Sequence, residues 1–128
     1  MTAQGEDLLA WLDNAITARE DAARAVGYDQ IETVDYLWET KYLLLRRGDE
    51  AKASTELDAT LADHIAANDP ASVLRRCAAD RKLIYEVRRT AENAKSRPWD
   101  PMYGPYADAM LAAAKVVAEG YGWTECER

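Results

Sequence analysis

Histidine, cysteine and glycine are scarce in this 128-residue chain, and each scarcity removes a class of chemistry. His64 is the single histidine, and the two cysteines, Cys77 and Cys126, are far apart and belong to no CxxC pair. The usual zinc spacings are therefore missing, and too few ligands remain for a zinc or iron centre. Two reduced thiols in a reducing compartment is the expected state. Six glycines offer little backbone for cradling phosphate, and no GxSxG elbow, Walker loop or GxGxxG turn is present. No segment approaches the roughly 20 apolar residues that cross a bilayer, and the opening MTAQGEDLLAW has no basic n-region. A soluble, cytoplasmic, single-domain protein spanning residues 1–128 is expected, without membrane association, cofactor, metal or catalytic residue.

Positive charge is also in deficit. The formal net charge of −7 argues against dedicated nucleic-acid binding, which needs an excess of positive potential. Residues 75–89, RRCAADRKLIYEVRR, reverse the balance locally with six Arg or Lys against Asp80 and Glu86. Carboxylate pairs such as Glu6 with Asp7, or Asp58 with Asp63, read as solubility charges.

What is present is hydrophobic periodicity. Leu9, Leu12, Ile16, Ala23 and Val26 predict a helix over 6–26 ended by Gly27. Residues 28–54 are ambiguous. Tyr36, Trp38, Thr40, Tyr42 and Leu44 alternate with Leu37, Glu39, Lys41 and Leu43, which suits strands turning at Arg47-Gly48-Asp49-Glu50. A helix from Asp29 to Arg46 is the competing reading. Ser54 or Thr55 can cap a short helix carrying Leu57, Leu61 and Ile65, which must stop before Pro70. His64 then lies in its last turn, where an imidazole is favourable without chemical duty. Asp69 takes the N-cap of the next helix and Pro70 its first turn.

That helix, 70–93, groups Val73, Cys77, Ile84, Val87 and Ala91 on one arc and Leu74, Ala78 and Tyr85 on another. Arg81 and Arg88 fall between the arcs and need carboxylate or carbonyl partners if covered. Arg75, Lys82 and Arg89 line the opposite side. A loop over 96–106 is expected to be anchored by Trp99 and Tyr103, and Pro105 to open a last helix with Tyr106, Met110, Ala113 and Val117 on one face. The tail leaves Tyr121 and Trp123 available to fold back.

The segments HIAANDPASVLRRCAADRKLI and DLLAWLDNAITAREDAARAV, with PYADAM and YGW near the end, resemble a family of unknown function from actinobacteria and actinophages. Its central motif runs from His-Ile-Ala through Asp-Pro and Val-Leu to an arginine-bearing helix. The resemblance implies tryptophan-containing strands before the motif and supplies no activity. Relatives often have a second histidine four residues after the first; Asn68 stands there in this chain, so the HxxxH pair is missing.

The expected fold is α+β and mostly helical, with three or four helices and a hairpin or three-stranded antiparallel sheet over about residues 33–54; an all-α bundle is the alternative. Two function classes follow. The favoured one is a non-enzymatic interaction protein, encoded by a phage or mobile element, that binds a host protein or self-associates as a homodimer. The other is a nucleic-acid-binding regulator using Arg75, Arg76, Lys82 and Arg89. His64, Asp69, Pro70, Arg81 and Arg88 are read as structural.

Overall fold

Leu9, Leu12 and Ile16 recur at three- and four-residue spacing and are fully buried, which makes the opening segment a helix with one dry stripe, α1 (Ala3–Ala25). The computed structural model describes residues 1–125, and Cys126 lies outside them. Gly27 follows α1 with φ 84°, a left-handed value that suits glycine after a helix end. Val26 is 52% exposed rather than part of the stripe, because α1 has already ended.

Next come β1 (Gln30–Asp35), β2 (Thr40–Arg47), β3 (Glu50–Ala53), β4 (Leu57–Asp58), α2 (Ala59–Ala67), α3 (Pro70–Ser96) and α4 (Tyr103–Gly120). Helices hold 62% of the described residues and strands 16%, so the fold is α+β and mostly helical, not an all-α bundle. The strands start at Gln30, ahead of the expected residue 33. The chain forms two compact units, a helical unit of Met1–Ala18 with the chain from Ala78 onward, and a sheet unit of Arg19–Cys77.

In the helical unit, Leu8, Leu9, Leu12 and Ile16 of α1 are buried, as are Ile84, Val87 and Thr90 of α3 and Ala114 and Ala118 of α4. Thr90 satisfies its hydroxyl by donating to the Val87 carbonyl at 3.0 Å. The tail folds back: Trp123 meets Trp11 edge to face at 5.1 Å, and the Tyr121 hydroxyl donates to Asp80 at 2.6 Å. Tyr85 is 65% exposed, since it lies about 100° around the helix from Ile84 and outside the covered stripe. Trp99, expected to anchor the loop, is 76% exposed. Tyr103 does anchor the loop, accepting from Arg97 at 2.9 Å with the guanidinium 5.3 Å from its ring centre. Helix α4 starts two residues before Pro105, which sits in the first turn where its missing N–H forfeits no helical bond. Its buried stripe is Ala114 and Ala118, whereas Tyr106 is exposed.

In the sheet unit, β1 pairs antiparallel with β2 from Gln30↔Arg46 to Asp35↔Lys41, and β2 with β3 from Leu44↔Ala53 to Arg47↔Glu50. The second connection turns at Gly48, whose φ of 59° no bulky residue adopts cheaply. Strand β4 joins β2 at Thr40↔Asp58 and Lys41↔Leu57, on the edge that β3 has left. Ser54 bridges the departure: its N–H donates to the Leu43 carbonyl and its hydroxyl accepts from the Leu43 N–H, both at 2.8 Å. Helix α2 packs on β1, β2 and β4. Its cap is Asp58, accepting from Thr60 and Leu61 N–H at 3.0 and 3.3 Å, in place of Ser54 or Thr55. Ala62 is its buried residue and Leu61 is 49% exposed, while Leu57 lies in β4 rather than in the helix. On the other sheet face Arg46 Nε and Glu32 Oε1 lie 3.1 Å apart as an ion pair. Their angle falls short of a hydrogen bond, so that buried N–H has no hydrogen-bond partner among the described residues.

Candidate functional site

The β1–β2 connection is the most unusual surface of the sheet unit. Four residues, Tyr36-Leu37-Trp38-Glu39, cross between the strands, where sequence alternation suggested continued strand. The turn is fastened at its base. Tyr36 N–H donates to the Thr40 carbonyl at 3.2 Å, while Thr40 N–H and hydroxyl both donate to the Leu37 carbonyl, at 2.8 and 2.6 Å. Ala59 N–H donates to the Glu39 carbonyl at 2.8 Å and ties the turn to α2. Between these fixed points Trp38 stands 100% exposed with φ 51°, beside Tyr36 and Leu37, which are each more than half exposed. Tyr36 leans edge to face on Tyr42 at 6.3 Å.

The tip is flanked by negative charge. Asp35 has a 93% exposed side chain, and Glu39 is exposed. The nearby cation, Lys41, is committed to Asp63 at 2.9 Å and Asp35 at 3.7 Å, and the Asp63 hydrogen bond raises its pKa above the ordinary lysine value. Asp63 is thus an ion-pair partner and Asp58 a helix cap, so neither is merely a solubility charge.

The joint before α3 converges on Asp69, 8% exposed. One carboxylate oxygen accepts from Ser72 N–H at 2.8 Å as an N-cap, and the other from Ile31 N–H of β1 at 3.1 Å. Ala71 N–H donates to the Asp29 carbonyl at 2.9 Å, and Pro70 has no N–H to satisfy. Burial pushes the Asp69 carboxyl up, but the Ser72 and Ile31 hydrogen bonds and the Arg75 charge outweigh it and hold the group below the usual carboxylate range. The His64 imidazole is exposed; its backbone carbonyl accepts from Asn68 Nδ2 at 2.9 Å, and Asn68 Oδ1 accepts from Arg76 at 3.0 Å.

Of the basic residues, Arg75 and Arg76 lie in the sheet unit and Lys82 and Arg89 in the helical unit, all exposed. Arg75 donates to Ser72 at 3.0 Å, and Arg89 donates from both Nη2 and Nε to the single Glu86 oxygen Oε2, at 2.6 and 3.0 Å, an engagement that raises its pKa. Arg81 donates to Asp13 and, at 2.7 Å, to Thr17, while Arg88 lies 3.7 Å from Glu6. Both arginines are partly exposed, because with Tyr85 outside the core they sit on the margin of the buried stripe. Glu6 is thereby an α1 partner of α3. Among the described residues no group of three or more His, Cys, Asp or Glu side chains could hold a metal ion. No helix among them is long and apolar enough to cross a membrane.

A family model described as "Family of unknown function (DUF6221)" matches residues 5–121. The chain belongs to that family. The DUF6221 match takes in the Tyr36–Glu39 turn, the Asp69 joint and α3, and stops before Trp123. No curated protein and no solved structure matches the chain.

Proposed function

We propose that this protein works without catalysis, as a small cytoplasmic interaction protein whose contact element is the Tyr36–Trp38 hairpin tip. The observation that carries the reading is Trp38. Leaving a large side chain wholly in water forgoes about 1.5–3 kcal/mol of burial, and a left-handed backbone at a residue with a Cβ costs roughly another 1–2 kcal/mol. A fastened turn that accepts both costs is organised for presentation. Tryptophan and tyrosine are the residues most enriched among the few that dominate protein interfaces. The resemblance to actinobacterial and actinophage sequences supports a phage or mobile-element gene whose product acts by binding a host protein or by self-association.

The test is a photo-crosslinking amino acid placed at position 38, and at exposed Glu92 as a control, in the native host. A protein captured from position 38 alone is then purified and titrated against wild type and Trp38→Ala. The expected loss in the variant is about 30-fold or more, as for an interface hot spot. Equal capture from both positions, or equal affinity of the two proteins, contradicts the reading.

A further inference from the structure

The sheet unit carries a mostly apolar groove of about 360 Å³ whose walls include Ala22, Val26, Ile31 and Val73 together with Arg19 and Arg76. Val26, half exposed beyond the end of α1, is part of it. The Arg76 guanidinium is oriented by Asn68, whose amide is itself held by the His64 carbonyl. An apolar trough lined by two arginines favours an apolar ligand that carries negative charge at its edges. The hairpin tip has that composition: Tyr36, Leu37 and Trp38 are exposed between the carboxylates of Asp35 and Glu39.

Groove and tip lie at opposite ends of β1. Ile31 lines the first, and the second begins after Asp35. A six-residue strand spans roughly 20 Å, so a tip cannot fold into the groove of its own chain. We propose that the tip of one copy docks into the Arg19/Arg76 groove of a second copy, with Trp38 in the trough and Asp35 and Glu39 facing the two arginines. This rests on the reading of the tip as contact element and adds the identity of what it contacts. Charge decides among occupants. Tip against tip would set Asp35 and Glu39 against their own counterparts, and the same carboxylates repel an anionic membrane or a nucleic acid. The contact is heterologous, because the two patches differ, and closes into a symmetric pair only if both tips engage at once.

The experiment is sedimentation velocity on the full chain over a concentration series at low and moderate salt. Wild type is expected to associate with rising concentration, more tightly at low salt. Trp38→Ala removes the tip anchor, and Arg19→Glu with Arg76→Glu reverses the groove; each is expected to weaken association by about 30-fold or more. Mixing the two variants leaves one intact tip and one intact groove, so a heterodimer is expected to form. A second mixture checks the pairing: Asp35→Lys with Glu39→Lys on one chain is expected to bind the reversed groove on the other. Wild type monomeric throughout overturns the self-association while leaving the crosslinking test of the tip unaffected. Association that survives either set of substitutions, or folded variants that fail to restore one another in both mixtures, overturns the tip-in-groove pairing.

Discussion

Replacing Asp69 by Ala is expected to destabilise the protein more than loss of an ordinary helix cap. The cap alone, Ser72 N–H to Asp69, is worth about 1 kcal/mol. Asp69 is also the acceptor for Ile31 N–H in β1, and a covered N–H left unpaired costs a further 1–2 kcal/mol or so. The sum is about 2–3 kcal/mol, against less than about 1 kcal/mol for Pro70→Ala, since alanine also fits a first helical turn. Asp69→Asn keeps one oxygen acceptor and should fall between. The carboxyl is held below its unfolded value, so its stabilisation is fully present above the unfolded pKa near 3.9 and is lost as pH falls through the lower folded value. The gap between wild type and Asp69→Asn should accordingly be constant from neutral pH to about pH 5 and shrink below about pH 4. Urea denaturation across that range measures both effects. A loss no larger than that of Pro70→Ala, or a gap that does not change in acid, refutes the two-acceptor role.

Three further outcomes follow from the same geometry. Arg81→Ala should cost about 1–2 kcal/mol, because it abandons Asp13 and Thr17 together, whereas Arg88→Ala, with one exposed partner at 3.7 Å, should cost under about 1 kcal/mol; denaturation curves that reverse this order contradict it. Changing Arg75, Lys82 and Arg89 together to Gln should leave stability within about 1 kcal/mol, and DNA and RNA titrations of wild type should show no steeply salt-dependent binding; such binding, abolished in the triple variant, would favour the nucleic-acid reading instead. Trp38→Gly should match wild type in stability or exceed it by up to about 1 kcal/mol, since glycine accepts φ 51° without strain, while partner binding is lost.

Elements with strong local signals were legible before the structure. Leu9, Leu12 and Ile16 announce α1, and Asp69-Pro70 announces the start of α3 by a mechanism confined to a few residues. The tip was hidden for the opposite reason. Tyr36-Leu37-Trp38-Glu39 contains no Gly, Asn or Pro, so a turn with a left-handed tryptophan reads as uninterrupted strand alternation. Aromatic composition pointed to strands, but not to which aromatic residue remains bare. The roles of Asp58 and Asp63 differ in legibility in the same way. An aspartate directly before ATLADH was a readable cap signal that a rival at Ser54 or Thr55 obscured, whereas Asp63 meets Lys41 only because α2 lies on β2. Helical period puts Arg81 and Arg88 between two apolar arcs of α3, yet both are partly exposed, because exposure depends on how far the covered stripe extends and sequence period alone does not fix that width.

Fluorine NMR on protein labelled with 5-fluorotryptophan tests the role of the tip most directly. Its four tryptophans give four signals, and the Trp38 signal is assigned by its loss in Trp38→Phe. In dilute protein the Trp38 signal should show the full solvent isotope shift of an indole in water, like Trp99 and unlike buried Trp123. When concentration is raised or the captured partner is added, Trp38 should lose that shift and broaden while Trp99 does not change. A Trp38 signal already shielded in dilute protein, or one that stays solvent-exposed while binding is complete, contradicts the assignment of the hairpin tip as the contact element.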